Sequence, residues 1–304
     1  MLSHLQKLIT LLLIVAAGGW LLYFRSSAPW LALGGCLLIA LGHSGFLAIE
    51  FLASRHLSRK ESAPRVSAKE LLRAWLGESW TAPQVFCWRQ PFRAQAIADQ
   101  LAPPAPLQGQ RGVVFVHGFF CNRGFWTPWL KRLQGGKHAF VALSLEPPFG
   151  SIDDYAPQID AAVQRVTQAS GMAPLLVCHS MGGLAVRAWL KHMKAEARVH
   201  HVVTLGSPHR GTWLARFGLS HNSLQMRRQS DWLAELDRGM PAHRHALFSC
   251  WYSNSDNIVF PVSTATLPGA DNRLLRGAGH VQLAFLPQVM DATLALLDDN
   301  TARP

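Results

Sequence analysis

Acid is in short supply in this chain: 18 Asp and Glu stand against 29 Lys and Arg over 304 residues, a net charge of +11. No acidic cluster suggests a structural calcium. Cysteine is equally thin. Cys36, Cys87, Cys121, Cys178 and Cys250 are odd in number and irregular in spacing. They offer neither a disulfide framework nor a zinc site, and they agree with a reducing compartment. No zinc-finger spacing, helix-turn-helix pattern or RNA-binding aromatic signature accompanies the positive charge, which sets nucleic acid aside as a partner. Internal repeats and long low-complexity tracts are missing as well.

Apolar residues make up 49% of the chain, and many of them fall in the first 53 positions. Leu5 to Phe24 carries no charge after Lys7, and Trp30 to Leu52 contains Glu50 as its single acid. A bilayer core of about 30 Å takes about 20 apolar residues in a helix, so both stretches are expected to span. A cleaved signal peptide followed by a buried helix is the competing reading; Pro29 directly after the small residues and the second apolar run argue against it. The link RSSAP (25–29) allows only a tight turn, so residues 1–53 are expected as a transmembrane helical hairpin with both ends on one side. Glu50 lies near the end of its span, within reach of the interface, and His43 is read as a packing or helix-pair residue. Arg55, Arg59, Lys60, Arg65, Lys69 and Arg73 follow the hairpin. Basic residues collect on the cytoplasmic side, which predicts a bacterial inner-membrane protein with its main domain in the cytoplasm. Taking Lys7, Arg25 and Glu50 out of the 29 basic and 18 acidic residues leaves 27 and 17, still suited to anionic headgroups.

Residues 54–110 read as a basic and proline-rich connecting region. Within it LLRAWLGESW (71–80) is a short amphipathic helix, either lying on the membrane through Trp75 and Trp80 or packed on the main domain. From Arg111 onward short apolar runs alternate with helical periods. Strands are expected at 112–116, 139–145, 174–178, 201–205 and 246–252, and helices at 125–133, 154–169, 181–194 and 281–298. Strands separated by helices imply a mainly parallel sheet covered on both faces, with reactive residues on the loops at the strands' carboxyl ends.

Four segments carry the chemistry. PLLVCHSMGG (174–183) runs an apolar strand into His-Ser-x-Gly-Gly and then a helix, the arrangement of a nucleophile elbow with Ser180 at its tip. Gly182 supplies the small residue at +2, whereas Cys178 stands at −2 where glycine is usual. GVVFVHGFF (112–120) ends a buried strand in His-Gly. The loop after such a strand lends one oxyanion N–H and the residue after the nucleophile lends the other; these are Phe119 and Met181. His117 comes too early in the chain to be the base and is read as a structural loop residue. WYSNSDNIVFP (251–261) places Asp256 after a strand to orient a histidine, with Asp271 as the alternative acid. RGAGHVQLAF (276–285) opens the last helix with His280. The order Ser180, Asp256, His280 is a nucleophile–acid–base order.

VHGFFCNRGFW, LVCHSMGGLAVR, TLGSPHRGT, SDNIVFP and GAGH together resemble the bacterial lipase and esterase branch of the α/β-hydrolase fold. The resemblance covers roughly 111–298. It implies carboxylic ester hydrolysis through an acyl-enzyme at Ser180, with no redox cofactor and no metal, in an α/β-hydrolase domain over 111–304. Residues 211–245, where this family often inserts a lid, have Trp213, Leu214, Phe217, Leu219, Leu224, Met226, Trp232 and Leu233 on an apolar side and Arg216, Arg227, Arg228 and Arg238 on a basic one. They are expected either as helices packed over the sheet or as an acyl-chain cover whose arginines meet phosphate. The expected substrate is an acyl lipid of the membrane, a phospholipid or its lyso form. Two other functions stay open: acyl transfer to an alcohol or amine, and an inactive hydrolase serving as a membrane-bound binding module.

Overall fold

The computed structural model describes residues 1–59, 64–102 and 109–298. Lys60, the prolines at 103–104 and 106, and the last six residues lie outside the described residues.

Helices α1 (Leu2–Phe24) and α2 (Pro29–Ser58) form the hairpin, and both are long and apolar enough to cross a membrane. Trp20 Nε1 donates to Leu31 O at 2.8 Å and Cys36 Sγ to Ala17 O at 3.4 Å. A Cβ on Gly35 would sit 1.9 Å from Trp20 Nε1, so glycine there is what lets the two helices close. The hairpin divides along its length. Leu2, Gln6 and Thr10 of α1 and Glu50, Phe51 and Ser54 of α2 are buried against the body of the protein, whereas Leu11 to Val15, Leu21, Leu22, Leu33, Leu37 and Leu38 are exposed.

Residues 68–102 pack as part of the body rather than as a connector. Helix α3 (Ala68–Pro83) starts at a capping box, Ser67 with Glu70, and after Pro83 the chain widens into a π-helical turn, Gln84–Arg89, that runs into the short α4 (Gln90–Phe92). Of the two placements expected for the helix at 71–80, packing on the main domain is realised on one side: Arg73 Nε donates to Gly277 O at 3.1 Å and Glu78 Oε1 accepts from Val281 N at 2.9 Å, while Trp75 Nε1 ties the helix to Ser44 O of α2 at 2.7 Å. Leu72, Leu76 and Trp80, one helical turn apart, remain exposed on the other side.

Six parallel strands form the sheet in the order β2-β1-β3-β4-β5-β6: β1 Val113–Val116, β2 Phe140–Ala142, β3 Leu175–His179, β4 His201–Leu205, β5 Phe248–Ser253 and β6 Asp271–Leu275. Side chains alternate between its faces. Val114, Val116, Leu176 and Cys178 join a core with α6 (Ala156–Ser170) and α7 (Met181–Met193); Val113, Phe115, Leu175 and Val177 join one with α5 (Thr127–Leu133). Burial on both faces explains why these strands read as unbroken apolar runs. β6 escaped the sequence reading because it is an edge strand whose first residues are exposed and polar. The segment 211–245 contains two short helices, α8 (His221–Gln225) and α9 (Asp231–Arg238). The helix expected over 281–298 is broken into α10 (His280–Leu283) and α11 (Pro287–Leu294), because Pro287 has no N–H to continue the first.

Candidate active site

Successive strands step from β1 outward to β2 and then back across to β3, so the order reverses between β1 and β3. Open α/β sheets present a crevice at such a switch point, beyond the carboxyl ends of the strands. Gly118 and Ser180 meet there. Ser180 has φ 52° and ψ −126°, outside the ordinary regions for a residue with a side chain. The surroundings enforce it: Ser180 N donates to Leu205 O at 2.9 Å and Gly183 N to Ser180 O at 3.1 Å. A Cβ on Gly182 would lie 2.3 Å from Val116 O, so glycine at +2 is obligatory. Cys178 at −2 is tolerated because it is already a β3 residue, paired with Val116 and Thr204 and fully buried. Burial pushes its thiol well above the ordinary range, which keeps it neutral.

Asp256 follows β5. Its Oδ1 accepts from the N–H groups of Ile258 and Val259, both at 2.8 Å, which leaves Oδ2 to meet His280 Nδ1 at 2.9 Å. Both residues are buried. Gly206, at φ 59°, lies against the pair; a Cβ there would come within 3.1 Å of Asp256 Oδ2 and of His280 Nδ1. Burial by itself would lower the His280 imidazole. The Asp256 charge and hydrogen bond, followed by the charges of Glu78 and Glu50, outweigh it and hold the imidazole above its ordinary value. Asp271, the alternative acid, begins β6 at the opposite end of the sheet and is exposed, bonded to Arg273 and Ser249. Ser180 Oγ makes no hydrogen bond among the described residues; Ser180 and His280 line one cavity of about 580 Å³.

Met181 directly follows Ser180, and Phe119 lines the same cavity. Met181 is the first residue of α7, where the N–H has no intrahelical partner. The peptide before Phe119 is fixed by His117, whose Nδ1 donates to Gly118 O at 2.8 Å while Nε2 accepts from Leu145 N at 2.9 Å. With the carbonyl of that peptide turned to His117, its N–H, on Phe119, points the opposite way. Burial pushes His117 down to about 4, so it is a neutral tautomer with both ring nitrogens used. This agrees with the structural role expected for it.

The N-terminal helices reach three of the four loops that carry these groups, those of Phe119, Asp256 and His280. Gln6 of α1 donates to Phe120 O at 3.1 Å, beside Phe119. Ser54 of α2 donates to Asp256 O at 2.6 Å. Glu50 of α2 accepts from Asn257 Nδ2 at 2.8 Å, and Asn257 Oδ1 accepts from His280 N at 3.1 Å. Glu78 of α3 accepts from Val281 N at 2.9 Å and from Gln282 N at 2.8 Å. Burial drives the Glu78 carboxyl up to about 7 against the pull of those two N–H groups. Glu50, expected to reach outward from the end of its span, is instead buried beside the site, where Asn257 supplies the donor that its position requires.

The structure brings the expected Asp256 and His280 into a hydrogen bond and sets His280, Ser180 and Phe119 on one cavity; the sequence did not single out Gln6, Glu50, Ser54 and Glu78 as their neighbours. One signal was present: an acid inside an apolar span is a functional residue by default. The cavity above Ser180 is walled by Phe46, Leu47 and Glu50 of α2, Glu78 and Ala82 of α3, and Phe86, Phe119 and Phe120. Residues 211–245 contribute nothing to that wall. Leu233, Leu236 and Met226 are core, while Phe217 and Leu219 are exposed. The expectation that Arg227 pairs with phosphate is replaced by an internal role: its guanidinium donates to Gly218 O at 3.0 Å and to Ala215 and Arg216 carbonyls at 3.4 Å.

A buried serine in a strained strand–helix turn, an imidazole fixed by a carboxylate and unpaired N–H groups nearby can together perform nucleophilic acyl chemistry. This defines a protein of the α/β-hydrolase fold. Residues 113–294 match the alpha/beta hydrolase family, and the chain belongs to it. Among solved structures it is similar to the mature form of Bacillus licheniformis lipase BlEst2, at 18% identity over 64% of this chain and 95% of that one, with a TM-score of 0.56. It is equally similar to Aspergillus fumigatus lipase B, at 18% identity over 63% of this chain and 53% of that one, also with a TM-score of 0.56. At this identity the likeness establishes the shared fold.

Proposed function

We infer that this chain is a membrane-anchored serine hydrolase of carboxylic acyl esters, lipase- or esterase-like, with Ser180 as nucleophile, His280 as base and Asp256 as the orienting acid. The observation that carries this reading is the placement of Ser180, in its elbow at φ 52°, in one cavity with an imidazole held by Asp256 at 2.9 Å. The Ser180 oxygen attacks the acyl carbonyl as its proton passes to His280 Nε2; Asp256 holds the Nδ1–H tautomer and stabilises the imidazolium. The oxyanion is received by the N–H groups of Phe119 and Met181, each worth about 100- to 1000-fold in rate. The imidazolium then protonates the departing alcohol, and water, deprotonated by His280, releases the acid.

The apolar outer half of the hairpin supports a membrane location, since contiguous exposed apolar surface of this size has no place in water. The basic residues after α2 favour the cytoplasmic side of a bacterial inner membrane for the hydrolase domain. An acyl lipid of that membrane, a phospholipid or its lyso form, is the substrate class that fits. Full-length protein in detergent should hydrolyse p-nitrophenyl esters and react with a fluorophosphonate at Ser180, and Ser180→Ala should lose both. Ester hydrolysis by Ser180→Ala within tenfold of the parent would overturn the assignment.

A further inference from the structure

A second apolar cavity of about 470 Å³ lies between α1, α2 and the end of α3. It shares the wall residues His43, Ala82 and Phe86 with the cavity above Ser180, so the two lie side by side. Its far end is formed by Leu13, Ile14, Ala17 and Ile39 of the hairpin, with Leu13 and Ile14 exposed at 44% and 61%. Leu13 and Ile14 belong to the exposed apolar run Leu11 to Val15 of α1. Thr10 Oγ1 donates to Gln6 O at 2.8 Å, and the single N–H of a neutral His43 has a carbonyl acceptor in either tautomer, Ala40 O at 3.1 Å or Ser79 O at 3.0 Å. Apart from Thr10, His43 and Cys87, the wall is methyl, methylene and aromatic surface.

We propose that this groove is the acyl-chain subsite, and that a bilayer lipid enters it sideways from the hydrocarbon layer, with its ester carbonyl at Ser180 and its chain lying between the two hairpin helices and Phe86. The proposal rests on the acyl-ester reading of the site and adds where the chain goes. Three features fit a lipid chain rather than a soluble acyl group. The entrance opens on hairpin residues whose own surroundings are apolar. Helix α3, whose end lines both cavities, carries an exposed apolar stripe, Leu72, Leu76 and Trp80, of the kind that docks on a bilayer. The segment 211–245, where a lid was expected, lines neither cavity.

The test uses the full-length protein in lipid nanodiscs and a long-chain alkylphosphonate p-nitrophenyl ester with a diazirine at the chain end. The Ser180 oxygen displaces p-nitrophenolate from phosphorus, leaving the chain attached through a new P–O bond, and light then joins the chain end to its neighbours. Peptide mapping should find Ser180 phosphonylated and the photo-adduct on α1 or α2 around Leu13, Ile14 or Ile39. Phosphonylated Ser180 with adducts confined to 211–245 or another surface would overturn the groove and leave the hydrolase reading standing. Absence of phosphonylation at Ser180 would overturn the hydrolase reading and the groove with it. As a second measurement, Ala17→Trp should lower the ratio of kcat/KM for a sixteen-carbon ester over a four-carbon ester by fivefold or more; a smaller change would overturn the proposal.

Discussion

Glu50, inside the second apolar helix, accepts a hydrogen bond of 2.8 Å from Asn257, the residue next to the acid that orients His280. A side chain of the hairpin is thereby linked to His280 through one amide, since Asn257 Oδ1 also receives the backbone N–H of His280. Glu50→Ala would leave the Asn257 amide buried and unpaired, a penalty of about 1–3 kcal/mol. We expect kcat/KM for a short p-nitrophenyl ester to fall about tenfold or more, while Glu50→Gln, which can still accept from Asn257, stays within about threefold of the parent. Equal activity in all three proteins would show that the hairpin does not position the loop.

Asp256→Asn should reduce kcat by about four orders of magnitude, because an amide at this position favours the wrong imidazole tautomer. Asp271→Asn should leave the rate within about twofold, since surface substitutions away from special features act weakly. The two variants measured side by side decide between the acids, and a crippled Asp271→Asn beside an active Asp256→Asn would reverse the assignment.

The rate profile carries a signature of the clustered carboxylates. His280 must be neutral to act as base, and its neighbours hold it above its ordinary value. The acid limb of the kcat/KM profile should therefore be centred above about 6.5. Glu78→Gln removes one of the charges that raise it, so the limb should move toward lower pH. A limb that stays in place would mean that Glu78 does not reach His280 electrostatically.

Stability has its own dependence on Glu78. Its carboxyl titrates near 7 in the folded protein and near 4.5 when exposed. Between those values the folded state keeps a proton that the unfolded state has lost. Stability from this group is thus complete below 4.5 and declines as pH rises toward 7, by about 3 kcal/mol in all. Melting curves from pH 4.5 to 8 should show the Tm of the parent falling relative to that of Glu78→Gln as pH rises. Parallel curves would contradict the burial of an ionisable acid here.

Gly206→Ala tests how closely the acid–base pair is packed. Alanine at φ 59° costs about 1 kcal/mol, and its methyl group would press on Asp256 Oδ2 and His280 Nδ1. Activity should fall by an order of magnitude or more, about 1.4 kcal/mol in the barrier, while circular dichroism shows the fold retained. Unchanged kcat would mean that the pair has room to shift.

Sequence alone determined the parts whose signal is local. The apolar runs of β1, β3 and β4 declare a parallel sheet because both of its faces are covered, and a Ser between a buried strand and Gly182-Gly183 declares a turn that few folds contain. The order of Ser180, Asp256 and His280 could be read because each sits directly after a segment with its own pattern. The two hairpin helices were legible from length and composition. What only the tertiary structure decided is what those helices touch. Gln6, Ser54, Glu50 and Glu78 are separated from their partners by between 114 and 207 positions, and their pairing follows from the packing of three helices around the sheet's crevice. The fate of Cys178 and the path of the cavity were decided the same way. Whether a cysteine fits beneath an elbow, and which helices wall the space above it, depend on distances between strands and helices, and no local pattern encodes those distances.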